Sequence, residues 1–400
     1  MSFKEPWDKL RKRTNFERER IRFSTREAQR DAAISKVKTL LDQLQSLVIQ
    51  NDDTVRRRSQ QLAGKSKSKL WSALMRFCRH AHTLHELIHR AWSCPCRSQH
   101  YADLQLLPVA SPEVNFHLRF YYDKIVSTAA SREWSEKRTR IIPVDLLSPS
   151  DQSQPVGRVR FVPAGNINTQ QNPAPDVIRD LCRVLSGSKA TSNVTGVLVD
   201  RGGNEAYSVS LLDQASVPAG HRFVHLAGLL QRDLWERPHR KIRYRMAATI
   251  AASHLRLHAS GWLQEGWRKD HILVEPGDVP DTVTLYLRED FSAPPTSPSK
   301  PTFDISFATL GIVLLELCFG YTLESTKFWK DITNGSPDPV KERAAAWEWA
   351  GLVGQEAGGG YKQAVDWCLN KWNVREDDST WRQEFQDNVV EPLREEAGLT

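Results

Sequence analysis

Four hundred residues, 40% hydrophobic and 26% charged, suffice for a buried core and normally divide into two domains. The opening MSFKEPWDKL is charged, and the longest apolar run, Ala308 to Gly320, is too short for a bilayer and contains Glu316, so neither a secretory signal nor a membrane span is expected. Six scattered cysteines in a chain this long exclude a disulfide framework and point to a reducing interior, cytoplasmic or nuclear.

The net charge of +7 is unevenly placed. Residues 1–70 hold 18 Lys and Arg against 9 Asp and Glu, which leaves 37 against 39 for the rest. A basic arm of this kind can hold nucleic-acid phosphates or anionic lipid, although a solvated helix face has the same composition. Ile34, Val37, Leu41, Leu44 and Val48 recur in steps of three and four and predict an amphipathic helix. After the polar connection 51–69 a second stripe follows, Leu70, Leu74, Phe77, Ala81, Leu84 and Ile88, the most regular helical signal in the chain.

From Leu104 the texture changes to short β-type runs, HLRFYY (117–122) and VGRVRFV (156–162), which sets a domain boundary near residue 100. A helix is expected over 176–185, then strands over 194–199 and 206–212 joined by a hairpin through RGGN. Beyond residue 223 helices dominate: HLAGLLQ (225–231), a stretch with Ile242, Met246, Ile250 and Leu257 on one face, SFATLGIVLLEL, and Trp-rich helices through 366–393. The organisation is therefore a basic helical region (1–100), a strand-rich unit (101–222) and a helical unit (223–400), of the α+β class.

This order, a small strand-rich lobe with one helix and then a helical lobe, resembles the two-lobed protein-kinase fold. LHASGW (257–262) with KDHILV (269–274) looks like the catalytic-loop region, DFS (290–292) like the metal-binding D-F-G, and LGIVLLELCFG (310–320) like the central large-lobe helix. With AWSCPCRSQH (91–100), GWLQEGWRKDHI (261–272) and AVDWCL (364–369), the chain resembles an uncharacterised fungal family, a domain of unknown function that is a degenerate kinase-like unit behind a helical region. Relatives carry further N-terminal helix of the kind seen in fungal incompatibility proteins, so the resemblance implies that this chain begins partway through it.

A fold does not confer an activity, which depends on the residues at particular positions. Phosphoryl transfer requires a phosphate-cradling glycine loop, a strand lysine paired with a helix glutamate, a catalytic aspartate, and an asparagine and an aspartate for magnesium. The resemblance places Gly266 at the catalytic aspartate and His271 at the magnesium asparagine, and residues 101–156 contain no glycine. Arg160 and Asp180 are candidates for the lysine–glutamate pair and Asp290 for the remaining metal ligand, so weak ATP binding stays open while no cofactor is required. Asp290 reads better as a strand-end aspartate that starts a Pro-rich turn, because Ser292 replaces the glycine. Four prolines between Ser292 and Phe303 leave no length for an activation loop, and Ser306 stands where the kinase pattern has an aspartate.

Cys78, His82, His85 and His89 share a helix row, and Cys94, Cys96 and His100 follow directly. The last three are metal-ligand types, but a tetrahedral site needs four, so no metal is assigned on this spacing, which a solvated helix flank with two ordinary thiols explains better. Trp262, Trp267, Trp367 and Trp381 are expected in the core. Three functions follow: a catalytically inactive, pseudokinase-type interaction or signalling module with protein partners, of the kind the resemblance connects with fungal self/non-self or stress signalling; an atypical ATP-dependent protein kinase; or a basic adaptor binding nucleic acid or anionic membrane through residues 4–69.

Overall fold

The computed structural model describes residues 15–18, 20, 31–32 and 35–38, and residues 71–399 apart from 109–112, 123–135, 145–175, 188–194, 201, 203–204, 213–222, 234–235, 259, 264–266, 278, 280, 292–302, 334–337 and 372–379. The chain divides into two compact units, Met1–Lys69 and Leu70–Thr400. In the first unit the described residues are helical, and Phe16 and Val37 are more than half exposed. Val37 is the one described member of the first apolar stripe. The rest of that stripe and nearly all of the basic arm 4–69 lie outside the described residues, as do Arg160 with its run 156–162 and Gly266.

The second unit is mixed helix and sheet, an α+β architecture. It opens with helix α1, residues 71–91. The expected stripe is its buried face, with Ala81, Leu84 and Ile88 completely inaccessible. The chain then enters the strands β1 (His100–Leu106), β2 (Phe116–Tyr122) and β3 (Glu136–Val144), the short helix α2 (Leu181–Gly187), and β4 (Gly196–Val199) and β5 (Ala206–Leu211). Helix α2 starts five residues later than expected because Val177 bridges to Val197 of β4 and Asp180 accepts the Arg183 N–H at the helix entry. The expected β4–β5 hairpin is antiparallel, with Val199 opposite Ala206.

After β6 (Val224–His225) come helices α3 (Leu226–Leu230) and α4 (Arg240–Leu257), then the hairpin β7 (Ile272–Pro276) and β8 (Val283–Asp290). The remaining elements are helical: α5 (Phe303–Phe319), α6 (Lys327–Thr333), α7 (Pro339–Ala350), α8 (Val353–Ala357), α9 (Gly359–Asn370), α10 (Thr380–Phe385) and α11 (Glu391–Glu396). No helix among the described residues is long and apolar enough to cross a membrane. Helix α5 is largely apolar and accordingly buried, with Leu310, Leu314, Leu315 and Leu317 inaccessible and Glu316 enclosed among them. It stops at Gly320, whose φ of 80° suits a residue without Cβ and whose N–H reaches back to the Glu316 carbonyl at 2.8 Å. Arg243 of α4 satisfies the carbonyls of Leu317 and Cys318 at 2.8 and 3.1 Å.

All eight strands form one antiparallel sheet in the order β4-β5-β3-β2-β1-β8-β7-β6. Side chains alternate between its faces, and the two faces differ chemically. One face, with Phe116, Phe120 and Tyr207, receives α1: Phe77 packs on Phe116 at 4.9 Å, Trp92 meets Phe120 edge-on at 5.6 Å, and His80 bonds the Tyr207 hydroxyl at 2.9 Å. The other carries a buried charge network. Asp103 lies directly across from both Arg119 and Arg288 and accepts hydrogen bonds from each. Further along this face, Arg138 bonds Glu275 at 2.8 Å and the Tyr286 hydroxyl donates to Glu275 at 2.7 Å.

Candidate functional site

Of the positions that sequence assigned to phosphoryl transfer, His271, Asp290 and Asp180 are among the described residues. His271 ends a short 3-10 turn, Lys269–His271, is exposed, and accepts the Arg268 backbone N–H through Nδ1 at 3.0 Å. Asp290 is the exposed last residue of β8, opposite Tyr101. Because β7 begins at Ile272 and Ile272 faces Leu287, His271 and Asp290 lie at the same end of this hairpin. Asp180 is a helix cap. The expected pairing of Arg160 with Asp180 and the place of Gly266 fall outside the described residues.

Beside this end of the hairpin, the loop before β7 is tied to α5 by two side chains. The Trp267 indole N–H donates to the Ser306 hydroxyl at 3.0 Å, and Ser306 lies 3.5 Å from His254 Nε2. Lys269 bonds the fully buried Glu316 at 2.5 Å and Glu324 at 2.6 Å. Burial pushes the Glu316 carboxyl up to about 7 against the pull of Lys269. After Asp290 the chain turns inward: Phe291 is inaccessible, packs against His85 and Trp262, and its carbonyl accepts the Arg97 Nε–H at 2.6 Å. His85, held well out of solvent, is lowered by that burial to about 4. The tryptophans are core residues as expected: Trp262 donates to the Ala81 carbonyl, and Trp367 and Trp381 pack around Phe307 and Phe385.

A second constellation forms where α1 hands over to β1. The chain curls through Cys94, Pro95 and Cys96, with the Arg97 N–H on the Cys94 carbonyl at 3.2 Å and the Gln99 N–H on the Cys96 carbonyl at 3.0 Å. This turn brings both sulfurs to the first residue of β1: His100 Nε2 is 3.1 Å from Cys94 Sγ and 3.4 Å from Cys96 Sγ. The His100 ring stacks on the buried Trp92 at 4.4 Å, which fixes its plane. Cys182 of α2 completes the group, its Sγ 3.8 Å from that of Cys96. The four donor atoms lie within 4.8 Å of one another, and all but Cys96 are buried. None of the six cysteines is in a disulfide. Burial and the neighbouring sulfurs raise the Cys94 thiol far above its ordinary value.

The sequence placed Cys94, Cys96 and His100 together and lacked a fourth partner; Cys182 supplies it from 86 residues away, beyond the reach of any local spacing. By contrast Cys78, His82 and His85 diverge, to the Leu255 carbonyl, Glu86 and Glu289 respectively.

Residues 72–399 match a family described as a domain of unknown function, DUF7580. The chain belongs to the DUF7580 family. Comparison with curated proteins finds no match. The DUF7580 match begins inside the first turn of α1, close to the division between the two compact units, so α1 is part of the same domain as the sheet. Both constellations lie within the DUF7580 domain.

Proposed function

We propose that this DUF7580 domain is a catalytically inactive, kinase-like module that works intracellularly by binding protein partners, in signalling of the self/non-self or stress type. The observation that carries this reading is the ladder between β1 and β8. Six residue pairs, from Tyr101 with Asp290 to Leu106 with Leu285, anneal the strand bearing the D-F-G-like aspartate to the first strand of the sheet. A nucleotide in a kinase lies between these two parts of the molecule; here hydrogen bonds join them edge to edge.

The element order supports the same reading: strands, one short helix, three strands, two helices, a loop, a hairpin, then a buried, largely apolar helix followed by further helices. So does the bond from Trp267 to Ser306, which ties the loop to the central helix through a neutral hydroxyl where the kinase pattern uses a carboxylate. With His271 at the asparagine position and Gly266 at the base position, proton removal and magnesium holding both lack their side chains. The base alone contributes a factor of about 10²–10⁴.

The test is radiolabel transfer from ATP with magnesium or manganese, to the full chain itself and to general substrates, beside an Asp290→Ala control. The expected result is no incorporation above the control. Incorporation that Asp290→Ala abolishes would establish the atypical-kinase alternative instead. Nucleotide binding without turnover, seen as a rise in melting temperature, fits the proposal.

A further inference from the structure

We propose that Cys94, Cys96, His100 and Cys182 hold one zinc ion as a closed, structural Cys₃His centre. Zinc–sulfur bonds of about 2.3 Å around a tetrahedron place sulfurs about 3.8 Å apart, and the Cys96–Cys182 separation is 3.8 Å. The imidazole nitrogen, 3.1 and 3.4 Å from two sulfurs, needs to retreat by a few tenths of an ångström to meet the same tetrahedron. Three thiolates and an imidazole are soft and borderline donors, the set that selects zinc over magnesium or calcium. The site is closed, since four protein ligands complete the coordination, and this is the signature of a structural rather than a hydrolytic ion.

The surroundings pre-form the site. Trp92 holds the His100 ring by stacking, and two turn hydrogen bonds fix the backbone of the C-x-C segment. Binding is written Zn²⁺ plus three thiols plus neutral imidazole, giving a zinc tris-thiolate imidazole of net charge −1 and three protons released to solvent. No oxidant or reductant takes part. The ion would tie the α1–β1 corner to α2, cross-linking positions 86 residues apart in the chain, so that binding free energy becomes folding free energy.

The same sulfurs have one competing fate, a Cys96–Cys182 disulfide, which requires them to approach to about 2.05 Å. The experiment measures zinc in the full chain purified under reducing conditions, and then the absorption of the chain reconstituted with cobalt(II). One zinc per chain and a thiolate-to-cobalt charge-transfer band with tetrahedral ligand-field bands are expected. Cys182→Ser should lose stoichiometric metal, while Cys78→Ser, outside the cluster, should keep it. Should Cys182→Ser fail to fold, the wild type carries the test by itself: a chelator should lower its melting temperature and zinc should restore it. Wild type with well under one equivalent of zinc and no charge-transfer band would overturn the proposal. So would metal retained equally by Cys182→Ser, or a metal-free chain lighter by the two hydrogens of a disulfide.

Discussion

The Lys269 ammonium lies 2.5 Å from a carboxylate oxygen of Glu316, on the buried central helix, and the other half of the anchor is the Leu323 N–H, 2.9 Å from the same oxygen. Without Lys269 the dry Glu316 carboxyl is driven to take up a proton, and the cost approaches that of a broken buried pair, about 3–5 kcal/mol, as pH rises above 7. Lys269→Met is expected to lower stability toward that order above pH 7, read by chemical denaturation. Adding Glu316→Gln to it should recover much of the loss; a double variant as unstable as the single one would contradict this account.

Glu316 also gives stability a pH dependence. Its carboxyl sits at about 7 in the fold and at its ordinary 4.5 in the unfolded chain, so the native state holds the extra proton between these values. Stability from this group is fully present below 4.5 and declines as pH rises through 7, on the order of 3 kcal/mol in all. Glu316→Gln should flatten the melting temperature against pH across this window. An unchanged slope would show that another group titrates there.

Asp103 is inaccessible and lies between Arg119, itself 3% exposed, and Arg288. Asp103→Asn leaves two guanidinium groups facing a neutral amide, and Arg119 keeps the ring faces of Phe223 and Tyr286, 3.3 and 5.0 Å from its Cζ, as partial compensation. The expected loss is about 3–5 kcal/mol, seen as a lower denaturation midpoint with an unchanged denaturant slope.

Leu84 has no exposed surface and stands at the centre of the α1 stripe. Leu84→Asp should lower the melting temperature of the whole second unit in one transition, by more than the 2–5 kcal/mol that a buried Leu→Ala change costs. Met75→Asp on the same helix, at a residue 40% exposed, should stay within about 0.5 kcal/mol.

Helix α1 was legible because its apolar residues keep a strict helical period, and α5 because an apolar run broken only by Thr309 and Glu316 has only the core to go to. Strand β3 was not. Its EKRTRIIPV carries four charged residues and a proline, both arguments against a strand between two others, yet Arg138 finds Glu275 across the sheet and Pro143 is paired opposite Tyr207. The start of β1 was hidden in the same way, since Asp103 reads as a loop residue until Arg119 and Arg288 are placed beside it. The three members of the cysteine site that lie within seven residues were visible, and the fourth, Cys182, required the tertiary fold. Charged strands and long-range ligands share one property: their justification is a partner far away in the chain.

The β1–β8 ladder also fixes the order in which this sheet can be completed. Tyr101 must wait for Asp290, nearly half the chain later, before its strand has a neighbour on that side. Pairings this non-local carry a high loop-closure cost and form slowly. During synthesis β1 therefore presents an open edge until β7 and β8 have emerged, and a product truncated before residue 283 would keep it, with Ala102 and Leu104 available to any strand of another chain.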